Sequence, residues 1–217
     1  GGKVAIDHAG AKNLVGSFHP PSLVLADPTT LQTLPERELR TGFAEIVKAA
    51  VLASPLLFDF LENEDPMGQL EWVIEQAVRI KAGYVAADPR DRGVRRSLNL
   101  GHTFAHAIES ATAHDISHGE AVAIGLVAAA RLGAEHGGTA PELEERIRST
   151  LERLGLPVAL PSGLDPDALV GAMAADKKRR SGSAIFVTPG PGGATLVEGI
   201  DPKEAISLIP GEAGKRS

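Results

Sequence analysis

The chain has 217 residues, enough to bury a substantial core in one large domain or two small ones. It carries 22 basic and 28 acidic residues, so a net charge of −6 argues against a nucleic acid partner. It has no cysteine, which excludes disulfides and thiolate chemistry, leaves histidine and carboxylates as metal ligands, and favours a cytoplasmic location. The longest apolar run, 121–130, is shorter than the ~18 residues of a membrane span, so no membrane association is expected.

The leading part of the chain is predicted to contain one strand. Residues 22–27 (SLVLAD) form a short apolar run between prolines, which is the pattern of a buried strand between turns. The chain begins with Gly-Gly-Lys, without methionine or a signal segment. We therefore expect it to be the later part of a longer protein.

Helices are predicted for the middle of the chain. Thr33 and Glu36 have the spacing of a capping box and predict a helix that ends near Ala53, before Pro55. A second helix over about 67–87 has an apolar stripe at intervals of three and four residues, and the stripe includes one charge. Its members are Leu70, Ile74, Ala77, Lys81 and Tyr84.

Further helices are predicted over 101–110 and 119–135, then from a second capping box at Thr139 and Glu142 to Leu154, and from Asp165 to about Lys177. Two short strands, 183–187 and 194–198, flank a turn rich in proline and glycine. The expected fold is mainly α, with a strand-containing piece over 1–35 and a helical domain over 36–217.

Four of the seven histidines, at positions 102, 106, 114 and 118, lie within seventeen residues. His102 and His106 are four apart, which places both imidazoles on one helix face, a common arrangement for binding a divalent metal. The alternative is two structural histidines with ordinary hydrogen bonds. His118, at the head of the next helix, favours a catalytic site of two imidazoles and one carboxylate.

The carboxylate of such a site has three candidates. Glu45 lies three residues before Lys48 on an otherwise apolar helix, where the pair could equally be a solvated ion pair. Glu109 and Glu120 compete for the same role.

Basic side chains are spread through a chain that is acidic overall. Singly, each is explained as a solvated surface charge. Lys81 is the exception, because an ammonium on an apolar stripe is unfavourable unless an anion or a polar cavity receives it. The set comprises Lys3, Lys12, Lys48, Lys81, Arg95 and the run 176–180.

Several long motifs, in this order, resemble the 3-dehydroquinate synthase family. They are GGK at 1–3, KN at 12–13, LPERELRTGFAEIVK at 34–48, LNLGHTFAHAIE at 98–109 and HGEAVAIG at 118–125. The resemblance implies an amino-terminal α/β domain that binds NAD and a helical carboxy-terminal domain that holds a metal. Residues 1–35 would be a remnant of the first domain, without its glycine-rich dinucleotide segment, and 36–217 would be the second domain.

The resemblance assigns a zinc or cobalt ion to Glu45, His102 and His118, and it moves His106 from the metal to the substrate pocket. The further catalytic residues that it implies are Lys48, Lys81, Arg95 and Asn99. Substrate-binding residues would be Lys3, Lys12, Asn13 and one of Lys177 and Lys178, with Lys3 and Lys12 also near the NAD. Ala105 stands where the family commonly has glycine.

The implied reaction, in the second step of the shikimate pathway to chorismate and aromatic amino acids, converts 3-deoxy-arabino-heptulosonate 7-phosphate into 3-dehydroquinate and phosphate. A hydroxyl is oxidised by NAD, phosphate is eliminated, the ketone is reduced again and the ring recloses. The full-length enzyme would be a homodimer, and this fragment alone is expected to be inactive. The alternatives are another sugar-phosphate cyclase, an iron-type alcohol dehydrogenase, or a non-catalytic, detached metal-binding domain.

Overall fold

The computed structural model describes residues 1–8, 11–113, 115–179 and 184–211, without the side chains of residues 7, 11–13 and 176–179. They form a β-hairpin at the start, a set of packed helices, and a second hairpin near the end. The mainly α fold expected from the sequence is confirmed. Within the described ranges, every helix is too short or too polar to cross a membrane.

The first hairpin consists of β1 (Lys3–His8) and β2 (Ala11–Phe18), which pair antiparallel. The buried strand predicted over 22–27 is wrong: this segment has no regular structure, and Leu25 is 85% exposed. A strand needs a partner for its backbone N–H and C=O groups, and none of the described strands pairs with 22–27.

Helix α1 (Glu36–Ala53) begins without the predicted capping box. Thr33 instead ends a preceding 3₁₀ helix (Pro28–Thr33), where its hydroxyl donates to the Thr30 carbonyl. Pro35 occupies the N-cap position and offers no side-chain acceptor.

Helix α2 (Pro55–Asn63) is not predicted from the sequence, where Pro55 indicates only the end of α1. Proline is also favourable in the first turn of a helix, because the N–H groups of that turn have no acceptor within the helix and the N–H that proline lacks is not needed. Ser54 ends α1 and caps α2, since its hydroxyl accepts a hydrogen bond of 3.2 Å from the Leu57 N–H.

Helix α3 (Leu70–Ala87) follows a short 3₁₀ turn and buries Val73 completely. The predicted stripe is only partly buried, and Lys81 on it is exposed. The ammonium of Lys81 therefore keeps its hydration, and the free-energy penalty expected for a buried charge does not arise.

Helices α4 (His102–Ala111) and α5 (His118–Leu132) form the centre of the molecule, and α5 is buried on nearly all sides, as its composition predicts. The remaining elements are α6 (Pro141–Arg153), α7 (Pro166–Arg179), β3 (Phe186–Gly190), β4 (Gly193–Val197) and α8 (Pro202–Ser207). The final two strands lie within three residues of their predicted positions.

The capping box predicted at Thr139 and Glu142 is also wrong. Ala140 is the N-cap of α6 and makes no side-chain bond there. The Thr139 hydroxyl is buried and donates to the Pro189 carbonyl of β3, so it is not available to cap a helix.

Two close backbone approaches set the positions of the central helices. A Cβ on Gly125 of α5 would lie 2.4 Å from the Gly101 carbonyl oxygen, directly before α4. A Cβ on Gly119 would lie 2.2 Å from the Thr41 carbonyl oxygen of α1. Because neither glycine has a Cβ, α1 approaches α5 closely at its first turn, and the start of α4 approaches it closely at Gly125.

Candidate metal and anion site

Three helices bring one carboxylate and two imidazoles together. Glu45 lies on α1, while His102 and His118 are the first residues of α4 and α5. One possible ligand atom from each of the three lies within 4.8 Å of the other two. Glu45 Oε1 is 3.4 Å from His102 Nε2 and 3.3 Å from His118 Nε2. This donor set is typical of catalytic divalent metal sites that keep coordination positions open.

The second ring nitrogen of each histidine faces a protein acceptor. His102 Nδ1 is 3.1 Å from the Leu100 carbonyl oxygen, and His118 Nδ1 is 3.4 Å from Glu109 Oε1. An Nδ1–H donated to these oxygens leaves both Nε2 lone pairs directed toward Glu45, the arrangement found around protein-bound metals. The residues present therefore fit a divalent ion.

The charges around Glu45 are strongly coupled. Without an ion between them, burial alone would raise the pKa of Glu45, but hydrogen bonds that it accepts from His102 and His118, together with the charge of Lys48, hold it well below its usual range. Burial lowers the pKa of Lys48, although its ammonium pairs with Glu45. Without an ion, Glu109 and then Glu45 raise the pKa of His118 to about 9.

A cavity of about 470 Å³, here called the main cleft, opens beside these three residues. Glu45 and His102 form part of its wall. Four basic side chains and one amide line it as well: Lys3, Lys48, Lys81, Arg95 and Asn99. An anionic ligand would thus meet positive charge next to the metal donors.

Arg95 is a buried member of this wall, with only 4% of its surface exposed. Its guanidinium donates to the Pro89 carbonyl at 3.0 Å and to the Gly1 carbonyl at 2.6 Å. Two of its five N–H donors are therefore engaged by backbone, which fixes the group in the cleft wall.

A second cavity of about 310 Å³, here called the side cavity, shares two wall residues, His102 and Asn99, with the main cleft. His106 lines it, and the ring centroids of His106 and His102 are 5.7 Å apart. His106 thus lies next to the candidate metal ligands but is not one of them. Among the described residues, that group comprises Glu45, His102 and His118.

Two family descriptions together match 179 residues of the chain. "3-Dehydroquinate synthase N-terminal" matches residues 1–41, and "3-dehydroquinate synthase C-terminal" matches residues 42–179. The chain belongs to the 3-dehydroquinate synthase family.

Relatives named 3-dehydroquinate synthase include proteins of Xanthomonas campestris pv. campestris, 43% identical over 96% of this chain, and Symbiobacterium thermophilum, 46% identical over 93%. The chain spans about 60% of the length of these curated relatives.

Two solved structures of related cyclases are also similar. 2-Epi-5-epi-valiolone synthase (ValA) of Streptomyces hygroscopicus subsp. jinggangensis, with NAD⁺ and Zn²⁺ bound, has a TM-score of 0.82 at 30% identity. 2-Deoxy-scyllo-inosose synthase, with carbaglucose-6-phosphate, NAD⁺ and Co²⁺, has a TM-score of 0.81 at 26% identity. The chain is covered to 96% in both comparisons, and those chains to 60% and 61%.

Eight of the residues that the dehydroquinate synthase resemblance singles out lie in or beside the two cavities. They are Lys3, Glu45, Lys48, Lys81, Arg95, Asn99, His102 and His106. His118 joins them through Glu45. The side chains of Lys12, Asn13, Lys177 and Lys178, and the whole of His114, lie outside the described residues.

The two other carboxylates considered for the metal have different surroundings. Glu120 accepts two hydrogen bonds from Arg37, at 2.9 and 2.7 Å, and forms a capping box with Ser117 at the start of α5. Arg37 lowers the pKa of Glu120 to about 2. Glu109 faces His118 from the side away from Glu45.

Asp91 is a residue of this site that the sequence analysis missed. It lines the side cavity, its Oδ2 pairs with the Lys3 ammonium, and its Oδ1 is buried without a hydrogen-bond partner among the described groups. Its φ of 57° is unusual for a residue other than glycine. The sequence signal that could have found it is an aspartate in the turn-forming segment Pro-Arg-Asp-Arg-Gly (89–93), which ends two residues before Arg95.

Proposed function

We propose that the whole protein is a 3-dehydroquinate synthase, a lyase that converts 3-deoxy-arabino-heptulosonate 7-phosphate into 3-dehydroquinate and phosphate. The observation that carries the proposal is the grouping of Glu45, His102 and His118 beside a cleft lined by four basic side chains. Relatives of that name at 41–46% identity support it.

Glu45, His102 and His118 would hold a zinc or cobalt ion, the metals present in the two similar solved structures. Such an ion supplies Lewis-acid stabilisation for oxygen atoms that gain negative charge. The chain's own contribution is the arrangement of the two rings, since Nδ1 of each lies near a protein oxygen and Nε2 faces Glu45.

This chain spans about 60% of its relatives' length, and NAD would bind mainly to the part of the whole protein that corresponds to the rest of that length. Both similar structures named above contain NAD⁺. The cofactor supplies the reversible hydride transfer. Lys3 lies on the strand nearest the main cleft, and we assign Lys3 and Lys12 to the side that faces the cofactor and the substrate.

The basic residues of the main cleft would bind the carboxylate and phosphate of the substrate. Lys81 is exposed there and free to move toward an anion, whereas Arg95 is fixed by two backbone carbonyls. Lys48 is held at Glu45 and is suited to proton movement, because burial lowers its pKa. We place His106 and Asn99 at the leaving phosphate, with Asn13 and one of Lys177 and Lys178 completing that side.

We further propose that the complete enzyme is a cytoplasmic homodimer. This rests on the resemblance to the family and on the absence of cysteine from the chain.

Another sugar-phosphate cyclase is the second candidate, since both similar solved structures belong to such enzymes. Their identities of 30% and 26% are below the 41–46% of the relatives named 3-dehydroquinate synthase, which favours the first candidate. A detached, non-catalytic metal-binding domain is the third.

The test is an assay of the complete protein with NAD and Zn²⁺ or Co²⁺. With the heptulosonate phosphate we expect phosphate release and equal formation of 3-dehydroquinate. Glucose 6-phosphate serves as the competing substrate, because a carba-analogue of it is bound in the 2-deoxy-scyllo-inosose synthase structure. Turnover of glucose 6-phosphate alone would support the second candidate, and no turnover of either would support the third.

A further inference from the structure

Both ring nitrogens of His118 face carboxylates. Nε2 is 3.3 Å from Glu45 Oε1, and Nδ1 is 3.4 Å from Glu109 Oε1. The His118 side chain is 49% exposed, whereas that of His102 is 13% exposed. Packing therefore restrains His118 less than His102, so its ring depends more on polar contacts for its orientation.

Glu109 is well placed to provide that contact. It lies seven residues after His102 on α4, which is two helical turns and thus the same face. Its side chain is only 8% exposed, so the carboxylate is held in a fixed position. Helix α4 consequently carries one of the two imidazoles and also the acceptor that faces the other.

We propose that Glu109 is a positioning residue for the metal: it accepts the Nδ1–H of His118 and holds Nε2 toward Glu45 and His102. This inference rests on the metal site of the proposed function. Glu109 acts through His118 and is not itself a ligand, since the described group of possible ligands comprises Glu45, His102 and His118.

The acceptors of the two histidines differ in charge. His102 donates to a neutral backbone carbonyl, and His118 donates to a carboxylate. A carboxylate makes the imidazole a stronger electron donor as well as orienting it. Replacing Glu109 by glutamine should keep an acceptor oxygen and remove the charge, while alanine removes both.

The experiment is a Zn²⁺ titration of this chain against a chromophoric chelator. We expect Glu109→Gln to weaken Zn²⁺ binding about 10-fold and Glu109→Ala up to about 100-fold, with one ion still bound per chain. Glu144→Gln is the matched control, because Glu144 is a partly buried carboxylate that pairs with Arg131 of α5. The control should bind Zn²⁺ like the wild type.

A double-mutant cycle separates positioning from general loss of structure. In a His118→Ala background, measured at higher Zn²⁺ concentration, Glu109→Gln should have no further effect on affinity. An equal loss in that background, or unchanged affinity of Glu109→Gln alone, would overturn the proposal.

A readout without metal distinguishes this inference from the proposed function. The ring Nδ1 proton of His118 should give a protected ¹⁵N–¹H signal in the wild type and lose it in Glu109→Ala. If the wild-type chain shows that proton but binds no Zn²⁺, the proposed metal site fails and the contact stands. If the proton is absent from the wild type, the inference is wrong.

Discussion

His102 and His106 share one face of α4 but have different surroundings. His102 reaches the carboxylate of a neighbouring helix, Glu45, whereas His106 lines the side cavity. A metal ligand needs further donors close by, and for His102 the candidate donors lie on α1 and α5, all within 4.8 Å of one another. The two rings are therefore expected to respond differently to removal.

We predict that His102→Ala and His118→Ala lose most of the bound divalent ion, while His106→Ala keeps it. Each of the first two changes removes one of three ligands, and the third removes only a neighbouring ring. Elemental analysis after dialysis against a metal buffer measures this. Equal loss in His106→Ala would mean that the two histidines of α4 bind the ion together.

We also predict that Lys81→Met in the complete protein preserves folding and sharply lowers activity on the heptulosonate phosphate. Lys81 is an exposed cation of the main cleft, so its removal weakens anion binding without disturbing the core. Arg79→Met is the control, because Arg79 lies on the same helix and pairs with Glu75 in solvent. Steady-state kinetics and thermal melting report the outcome, and unchanged activity would exclude a role for Lys81.

The spacing of residues on one helix predicted part of this site. It placed His102 and His106 on the same face, but it could not show which other helix supplies a carboxylate. That information came from the family resemblance, because contacts between α1, α4 and α5 depend on tertiary packing. The contact between Glu109 and His118 and the ion pair of Lys3 with Asp91 were missed for the same reason.

At the scale of elements, the first turn of α5 holds His118 in place. Ser117 and Glu120 form a reciprocal capping box, and Arg37 of α1 binds the Glu120 carboxylate. This links the start of α5 to the helix that carries Glu45.

We predict that Glu120→Gln lowers the free energy of unfolding at pH 7 by about 1–2 kcal/mol. The pKa of Glu120 is lowered from its ordinary value of 4.5 to about 2 in the folded chain, so its stabilising effect is complete above pH 4.5. It is lost as the pH falls through about 2. Urea unfolding of both proteins from pH 7 to 2 should show the difference shrinking, and a difference independent of pH would contradict the assignment.

We predict that Gly125→Ala lowers the free energy of unfolding by about 1–3 kcal/mol and weakens metal binding. The new Cβ would lie 2.4 Å from the Gly101 carbonyl, which forces α5 away from the start of α4. Gly83→Ala is the control, because a Cβ at that position of α3 would extend into open space. That change should stabilise α3 by up to about 1 kcal/mol.

Most helices were predictable from apolar spacing and begin within three residues of their predicted starts, but α2 and α8 were not predicted, and the capping bonds were not predicted correctly. The motifs at Thr33 and Thr139 satisfy the capping pattern, but both hydroxyls donate to carbonyls elsewhere. The capping box that does form, at Ser117, was not predicted. A capping motif is short, so competing hydrogen bonds decide whether it is used.

At the scale of the whole molecule, exposed apolar side chains are concentrated near the start of the chain. Leu23, Val24 and Leu25 are 69–85% exposed, and five large apolar residues of the first hairpin are more than half exposed. Residues 1–41 match only the N-terminal family description, and the chain spans about 60% of its relatives. An exposed apolar surface such as this one, at the start of the chain, is typical of a region that another protein surface covers.

We predict that this chain alone binds NAD too weakly to detect and does not turn over substrate. The reason is that the glycine-rich segment expected to hold the dinucleotide is not part of its sequence. Titration calorimetry with NAD should give no heat beyond dilution. Micromolar binding would place the cofactor site within these 217 residues.

The contacts of Gly1 have a practical consequence for purification. Its carbonyl accepts from Arg95, and the residue lines the main cleft together with Glu45 and His102. A polyhistidine tag fused in front of Gly1 would therefore add imidazoles beside the candidate metal ligands and could supply a ligand of its own. Metal stoichiometry measured on such a fusion would report the tag as well as the site.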